Sequence, residues 1–233
     1  MPTWTLPEKP AEIAENRLID AILDGSFPVN SSLPAERELA AQLGVTRPTL
    51  REALQRLSRD GWVEIHHGKP TRVCDYWQEG NLLILKALSE RDGSLPSCFI
   101  PDLLHVRAAI APLYSKRALV LHPAETTALF ESLQALEDNP CLFAAQDHAL
   151  HQQLARLSEN VIYPLLLNNF KQMAVQAGEI YFRSETARGV SRQFYKDCLE
   201  AAQQRDADQL EAISKAVMLR SIRLWQERHP NER

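Results

Sequence analysis

The 233-residue chain is 45% hydrophobic and 24% charged with a formal net charge of −4, which excludes a disordered tail or a uniformly basic nucleic-acid coat. Its length accommodates two domains of ordinary size, each with its own core. No apolar run approaches the ~20 residues of a membrane span, and the opening MPTWTLPEKP lacks a basic-then-apolar export signal, so a cytoplasmic protein is expected.

The first predicted element is a scaffold helix over about Ala11–Asp24, with Ile13, Leu18, Ile19, Ile22 and Leu23 inward and Gly25 as its stop. A loop through Phe27-Pro28 leads to a second helix over about Ala35–Leu43, whose inward stripe is Leu39, Ala40 and Leu43. Gly44 stands where a helix ends in a left-handed residue, so the chain turns sharply. Thr46 then caps a third helix, and Pro48 falls where no backbone donor is needed. Leu50, Ala53, Leu54 and Leu57 give that helix a buried face, while Arg47 and Arg51 share its outward side. This is the layout of a helix-turn-helix that offers the start of its second helix to a DNA major groove.

After Gly61 the pattern alternates. Trp62, Val63 and Ile65 read as one short strand and Thr71, Val73 and Cys74 as its return, joined by His66, His67, Gly68, Lys69 and Pro70. A hairpin behind a helix-turn-helix is a winged helix, and a basic wing tip suits a minor groove. Net charge runs against DNA binding, since Met1–Tyr76 holds 9 basic and 11 acidic side chains. Affinity depends on how many cations meet phosphates, however, and Arg47, Arg51, Arg56, Arg59, Lys69 and Arg72 all follow the expected contact edge.

From Asp75 onward only helical spacing remains. Helices are expected over Asn81–Arg91, Ser97–Leu121, Pro123–Leu136, Leu142–Ser158, Ile162–Arg183, Thr186–Gln203 and Asp206–Arg228. Their short connections imply antiparallel neighbours and a helical bundle, a natural place for a ligand cavity. The expected architecture is mainly α: a winged helix-turn-helix over 1–75, a linker at 76–80 acting as hinge, and an all-helical bundle over 81–233. Cys74, Cys98, Cys141 and Cys198 stand apart without a CxxC pair and read as reduced thiols.

PAERELAAQLGVTRPTLREALQRL resembles the DNA-binding domain of the GntR family of bacterial transcription factors. DGWVEIHHGKPTRV followed by Tyr76-Trp77 narrows the likeness to the branch that regulates fatty-acid metabolism, and the likeness continues over nearly the whole chain. The resemblance implies a homodimer on a palindromic operator, contacted through Arg37, Thr46, Arg47, Thr49, Arg51, His67, Gly68 and Lys69. Pro48 stands where that branch has threonine, so one polar contact should differ. The resemblance also implies a long-chain acyl-coenzyme A effector in the bundle, with no metal or other cofactor, and matches Arg107, Tyr181, Ser221 and Trp225 to its site. An arginine suits phosphate and an aromatic edge suits an acyl or adenine group, although spacing alone reads Tyr181 and Trp225 as core. Val217, Met218 and Pro230 replace tyrosine, glycine and lysine, and a methionine in place of glycine should narrow the pocket.

Asp147 and His151, four residues apart, share a helix face, as ligands of one metal ion would. Metal-binding relatives of such a bundle add two later histidines. Here the regions around Lys196 and Val217 hold none, and only His229 follows, so the set is incomplete for zinc and a hydrogen-bonded pair is preferred. The alternative effector is a small carboxylate or sugar acid, with or without a metal ion. His105, His148, His151, Asp147 and Ser158 do not make an enzyme, because the chain has no nucleophile elbow, P-loop or glycine-rich dinucleotide turn.

Overall fold

A computed structural model describes residues 9–66, 68–91 and 96–230. The chain divides into two compact units, Met1–Ser94 and Leu95–Arg233.

In the first unit α1 (Pro10–Leu23) buries Ala11, Ala14, Leu18, Ile19 and Ile22, a stripe at helical spacing that packs on α3. α2 (Glu36–Leu43) ends at Gly44, whose φ of 69° is cheap only for glycine. α3 (Arg47–Asp60) starts at Thr46, whose hydroxyl accepts from the Thr49 N–H at 3.3 Å, with a proline in the first turn. It buries Leu50, Ala53, Leu54 and Leu57, the face expected from their spacing. The wing is shorter than expected: β1 (Val63–Glu64) pairs antiparallel with β2 (Arg72–Val73), Val63 opposite Val73. The loop before α2 covers the other side of β2, through Asn30 N–H to Val73 O and Leu33 N–H to Thr71 O, both 2.8 Å. This third edge occupies backbone groups that a two-stranded wing would leave open.

The stretch at 76–80, expected as a linker, lies folded on the winged helix. The Tyr76 ring packs against Trp62 at 4.9 Å, and the Asn81 side chain donates to the Arg59 carbonyl at 2.9 Å. Arg72 on β2 reaches both Glu64 and Glu79, at 2.8 and 2.5 Å. Gly61 and Gly80 let two backbone segments touch: a Cβ on Gly61 would stand 2.7 Å from the Gly80 Cα, and one on Gly80 would overlap the Tyr76 carbonyl. α4 (Ile84–Ser89) buries Ile84, Leu85 and Leu88. Beyond it Arg91 binds Asp20 of α1 at 2.6 Å. Residues 81–91 therefore belong with the first unit, although periodicity alone had grouped them with the bundle.

The second unit is the expected all-helical bundle: α5 (Phe99–Leu121), α6 (Pro123–Ser132), α7 (Pro140–Leu157), α8 (Ile162–Asn169), α9 (Lys171–Phe182), α10 (Glu185–Gln203) and α11 (Ala207–Arg228). α5 lies along α11 and against α7, α7 packs on α9, and α10 packs on α11 and α6. Tyr114, Phe130, Phe143, Leu154, Tyr195 and Leu210 fill the centre. The single helix expected over Ile162–Arg183 is two, broken at Phe170. There Asn169 folds its amide back onto the Leu165 carbonyl at 2.8 Å, competing with the helix ladder. Among the described residues no helix is long and apolar enough to cross a membrane.

The Gly61–Gly80 approach yields a stability test. Gly80→Ala should lower the stability of the first unit by roughly 1–3 kcal/mol through overpacking, read by urea denaturation. A change under about 0.5 kcal/mol would contradict the close approach.

Candidate nucleic-acid interface and ligand cavity

Exposed Thr46 caps α3, whose first turns carry exposed Arg47 and Arg51 with half-buried Thr49, and exposed Arg37, Gly68 and Lys69 stand on α2 and the wing. A surface cleft is bounded by Glu36, Arg51, Leu54, Ile65, Gly68 and Lys69, which brings the α2 start, α3 and the wing to one place. His67 lies outside the described residues. Thr46 serves the cap and also shares a hydrogen bond with the Thr49 hydroxyl at 2.8 Å, so both side chains are held in fixed positions.

The cations divide into two sets. Arg56 pairs with Glu52 and Glu15, Arg59 with Asp60, and Arg72 with Glu64 and Glu79. These three are committed within the unit, although position along the sequence had put them on the contact edge. Arg37, Arg47 and Lys69 make no ion pair among the described residues. Arg51 lies between the sets, its Nε 2.8 Å from a Glu36 carboxylate oxygen.

The bundle holds an apolar cavity of about 90 Å³. Arg107, Tyr181, Ser221 and Trp225, separated by up to 118 positions, all line it. The Tyr181 hydroxyl donates to Ser221 Oγ at 3.1 Å. Met218 and Val217 are part of the same wall.

One side of the cavity is polar in a way spacing did not reveal. Arg107 of α5, about a quarter exposed, makes an ion pair with nearly buried Asp147 of α7. The Tyr195 hydroxyl of α10 donates to Asp147 at 3.5 Å, and Tyr114 and His151 share a 2.7 Å hydrogen bond. Burial by itself would raise the Asp147 pKa, but the Arg107 charge and the nearby His151 outweigh it and hold the carboxyl below its usual range. Burial also disfavours charge on Arg107, yet Asp147 keeps its pKa above the ordinary value. Burial lowers the His151 pKa to about 3, so the ring is neutral at pH 7. Arg107 Nε, His148 Nε2 and His151 Nε2 are buried without a hydrogen-bond partner among the described residues.

Asp147 and His151 do face each other, at 3.9 Å, but each is engaged elsewhere as well. Among the described residues no group of three or more His, Cys, Asp or Glu is gathered to hold a metal ion. His105 is turned to its own helix, Nδ1 2.8 Å from the Pro101 carbonyl.

Residues 10–73 match the family model of bacterial regulatory proteins of the gntR family, and residues 74–231 match that of the FadR C-terminal domain. Fatty acid metabolism regulator proteins of Shewanella baltica and Shewanella halifaxensis are each 38% identical over 93% of this chain and 91% of their own. A solved structure described as Lar, which controls expression of the Listeria monocytogenes agr system, superposes with a TM-score of 0.61 at 17% identity. It covers 96% of this chain and 99% of that one, and it shows a shared fold.

The buried histidine makes the bundle acid-sensitive. The folded pKa of about 3 lies below the unfolded value, so stability present above pH ~6.5 is lost as pH falls toward the folded pKa. The melting temperature should therefore decline from pH 6.5 to 4.5, and His151→Gln should flatten that decline. Equal slopes in the two proteins would contradict a buried neutral ring.

Proposed function

The chain belongs to the FadR branch of the GntR family of bacterial transcription regulators, which are not enzymes, and on that premise we propose that it is a cytoplasmic regulator of fatty-acid genes whose operator binding is relieved by a long-chain acyl-coenzyme A. The observation that carries this reading is the pairing of a capped helix presenting Arg47 and Arg51 with a bundle cavity that gathers Arg107, Tyr181, Ser221 and Trp225.

On the DNA side, Arg47 and Arg51 address the major groove and Arg37 the backbone, with the wing residues His67, Gly68 and Lys69 at the minor groove. Thr46 and Thr49 add hydroxyl contacts to phosphate. With so few cations of this face unpaired among the described residues, one copy binds weakly, and two copies on a palindrome overcome this. Self-association has a suitable face on α5. Val106, Leu113 and Val120 are exposed at intervals of seven residues, so a two-fold axis at Leu113 sets Val106 against the partner copy's Val120.

On the effector side, a cavity of about 90 Å³ is far below the ~300–1,000 Å³ of ordinary ligand sites. An acyl chain enters only if the helices around it separate, and the Arg107–Asp147–Tyr195 chain of contacts ties three of those helices together. Ligand thus favours an open bundle over a closed one, which is the differential affinity that a switch requires. A second reading, a small carboxylate effector, draws support from the small volume and from Arg107 Nε and His148 Nε2, which lack partners among the described residues.

Two measurements test the proposal. Arg47→Ala should weaken binding to a selected operator duplex by roughly 1–3 kcal/mol at fixed salt, with unchanged circular dichroism. An unchanged affinity would remove Arg47 from the contact surface. Calorimetric titration with acyl-coenzymes A of graded length should give binding that moves to longer chains in Met218→Gly, since that change widens the cavity. Binding of a short dicarboxylate in place of every thioester would favour the second reading.

A further inference from the structure

Glu36 is an acidic side chain bordering the cleft of a face read as DNA-binding. It sits in the first turn of α2, and its carboxylate accepts from Arg51 Nε at 2.8 Å. Both side chains are open to solvent, 37% and 61% exposed, so the pair contributes little to stability. A surface meant only to attract phosphate would omit this charge. The bond engages Nε and leaves both Nη groups of Arg51 without a partner among the described residues, on a side chain that lines the cleft shared with Gly68 and Lys69. A guanidinium gripped at Nε keeps its end-on fork free for two acceptors. Base edges and phosphates present different acceptors to that fork. Guanine O6 and N7 are neutral, whereas a phosphate brings a full negative charge beside the Glu36 carboxylate.

We propose that Glu36 is a specificity-determining residue: by holding Arg51 at Nε it aims the fork at a base edge, and by its charge it lowers the affinity of this face for phosphate. The proposal rests on the reading of α3 as the recognition helix. Affinity for arbitrary duplex comes almost entirely from phosphate contacts, so the Glu36 charge weakens it more than it weakens operator binding.

The test uses full-length protein and fluorescence anisotropy at fixed salt. One duplex is the strongest recovered by in-vitro selection from a random library, and the other is its scrambled sequence. Glu36→Gln should reduce the ratio of selected to scrambled affinity by about fivefold or more, chiefly by tightening the scrambled duplex. Glu38→Gln is the control, because Glu38 is exposed in the same turn, has no ion pair among the described residues, and removes the same charge. Its ratio should stay within about twofold of the unaltered protein. The proposal is overturned if Glu36→Gln leaves the ratio unchanged or raises it, or if Glu38→Gln lowers it as much. A failure of the underlying reading looks different: the unaltered protein would then show no preference for the selected duplex.

Discussion

The ion pair between Arg107 and Asp147 is the constraint around which the bundle is arranged. A carboxylate this deep is tolerated only because a guanidinium meets it and a tyrosine hydroxyl shares it. Removing either partner alone leaves an uncompensated charge in an apolar setting, which costs far more than the pair itself contributes. The pair joins α5 to α7, and Tyr195 brings in α10, so the polar side of the cavity and the packing of the bundle are one set of contacts. Three buried nitrogens near it, Arg107 Nε, His148 Nε2 and His151 Nε2, lack hydrogen-bond partners among the described residues.

The DNA face follows a different economy. Net charge is negative, and most arginines of the first unit hold its own parts together. Arg72, for example, joins the wing to the turn behind it, and Arg91 joins the end of the following segment to α1. On the proposed reading a small set, unpaired among the described residues, is left to meet DNA, and salt-sensitive affinity is the expected consequence. The glycine pair at Gly61 and Gly80 brings 75–80 so close to the winged helix that this stretch is part of it.

What was legible in the sequence was local. The Thr46 cap, the left-handed Gly44 and the four-residue spacing of Arg47 and Arg51 are determined within a few positions, and each appears in the structure where the residues place it. Boundaries set by side-chain competition were harder, as the break between α8 and α9 at Asn169 illustrates. Pairings across long separations carried no sequence signal. Arg107 meets Asp147 across 40 positions, Arg51 meets Glu36 across 15, and Arg91 meets Asp20 across 71. Read singly, Arg107 suits a phosphate and Asp147 a metal, whereas the structure sets the two in an ion pair. Tyr114 and Tyr195 carry no sequence signal for the same reason, since an aromatic at helical spacing reads as core until its hydroxyl finds a partner.

The most direct test of the account is whether cavity and DNA face are coupled. Fluorescence anisotropy of a selected operator duplex, at fixed salt, should fall when oleoyl-coenzyme A is added and should not respond to coenzyme A alone. Operator binding that ignores the thioester, or that coenzyme A relieves equally well, would contradict a switch built on filling the bundle.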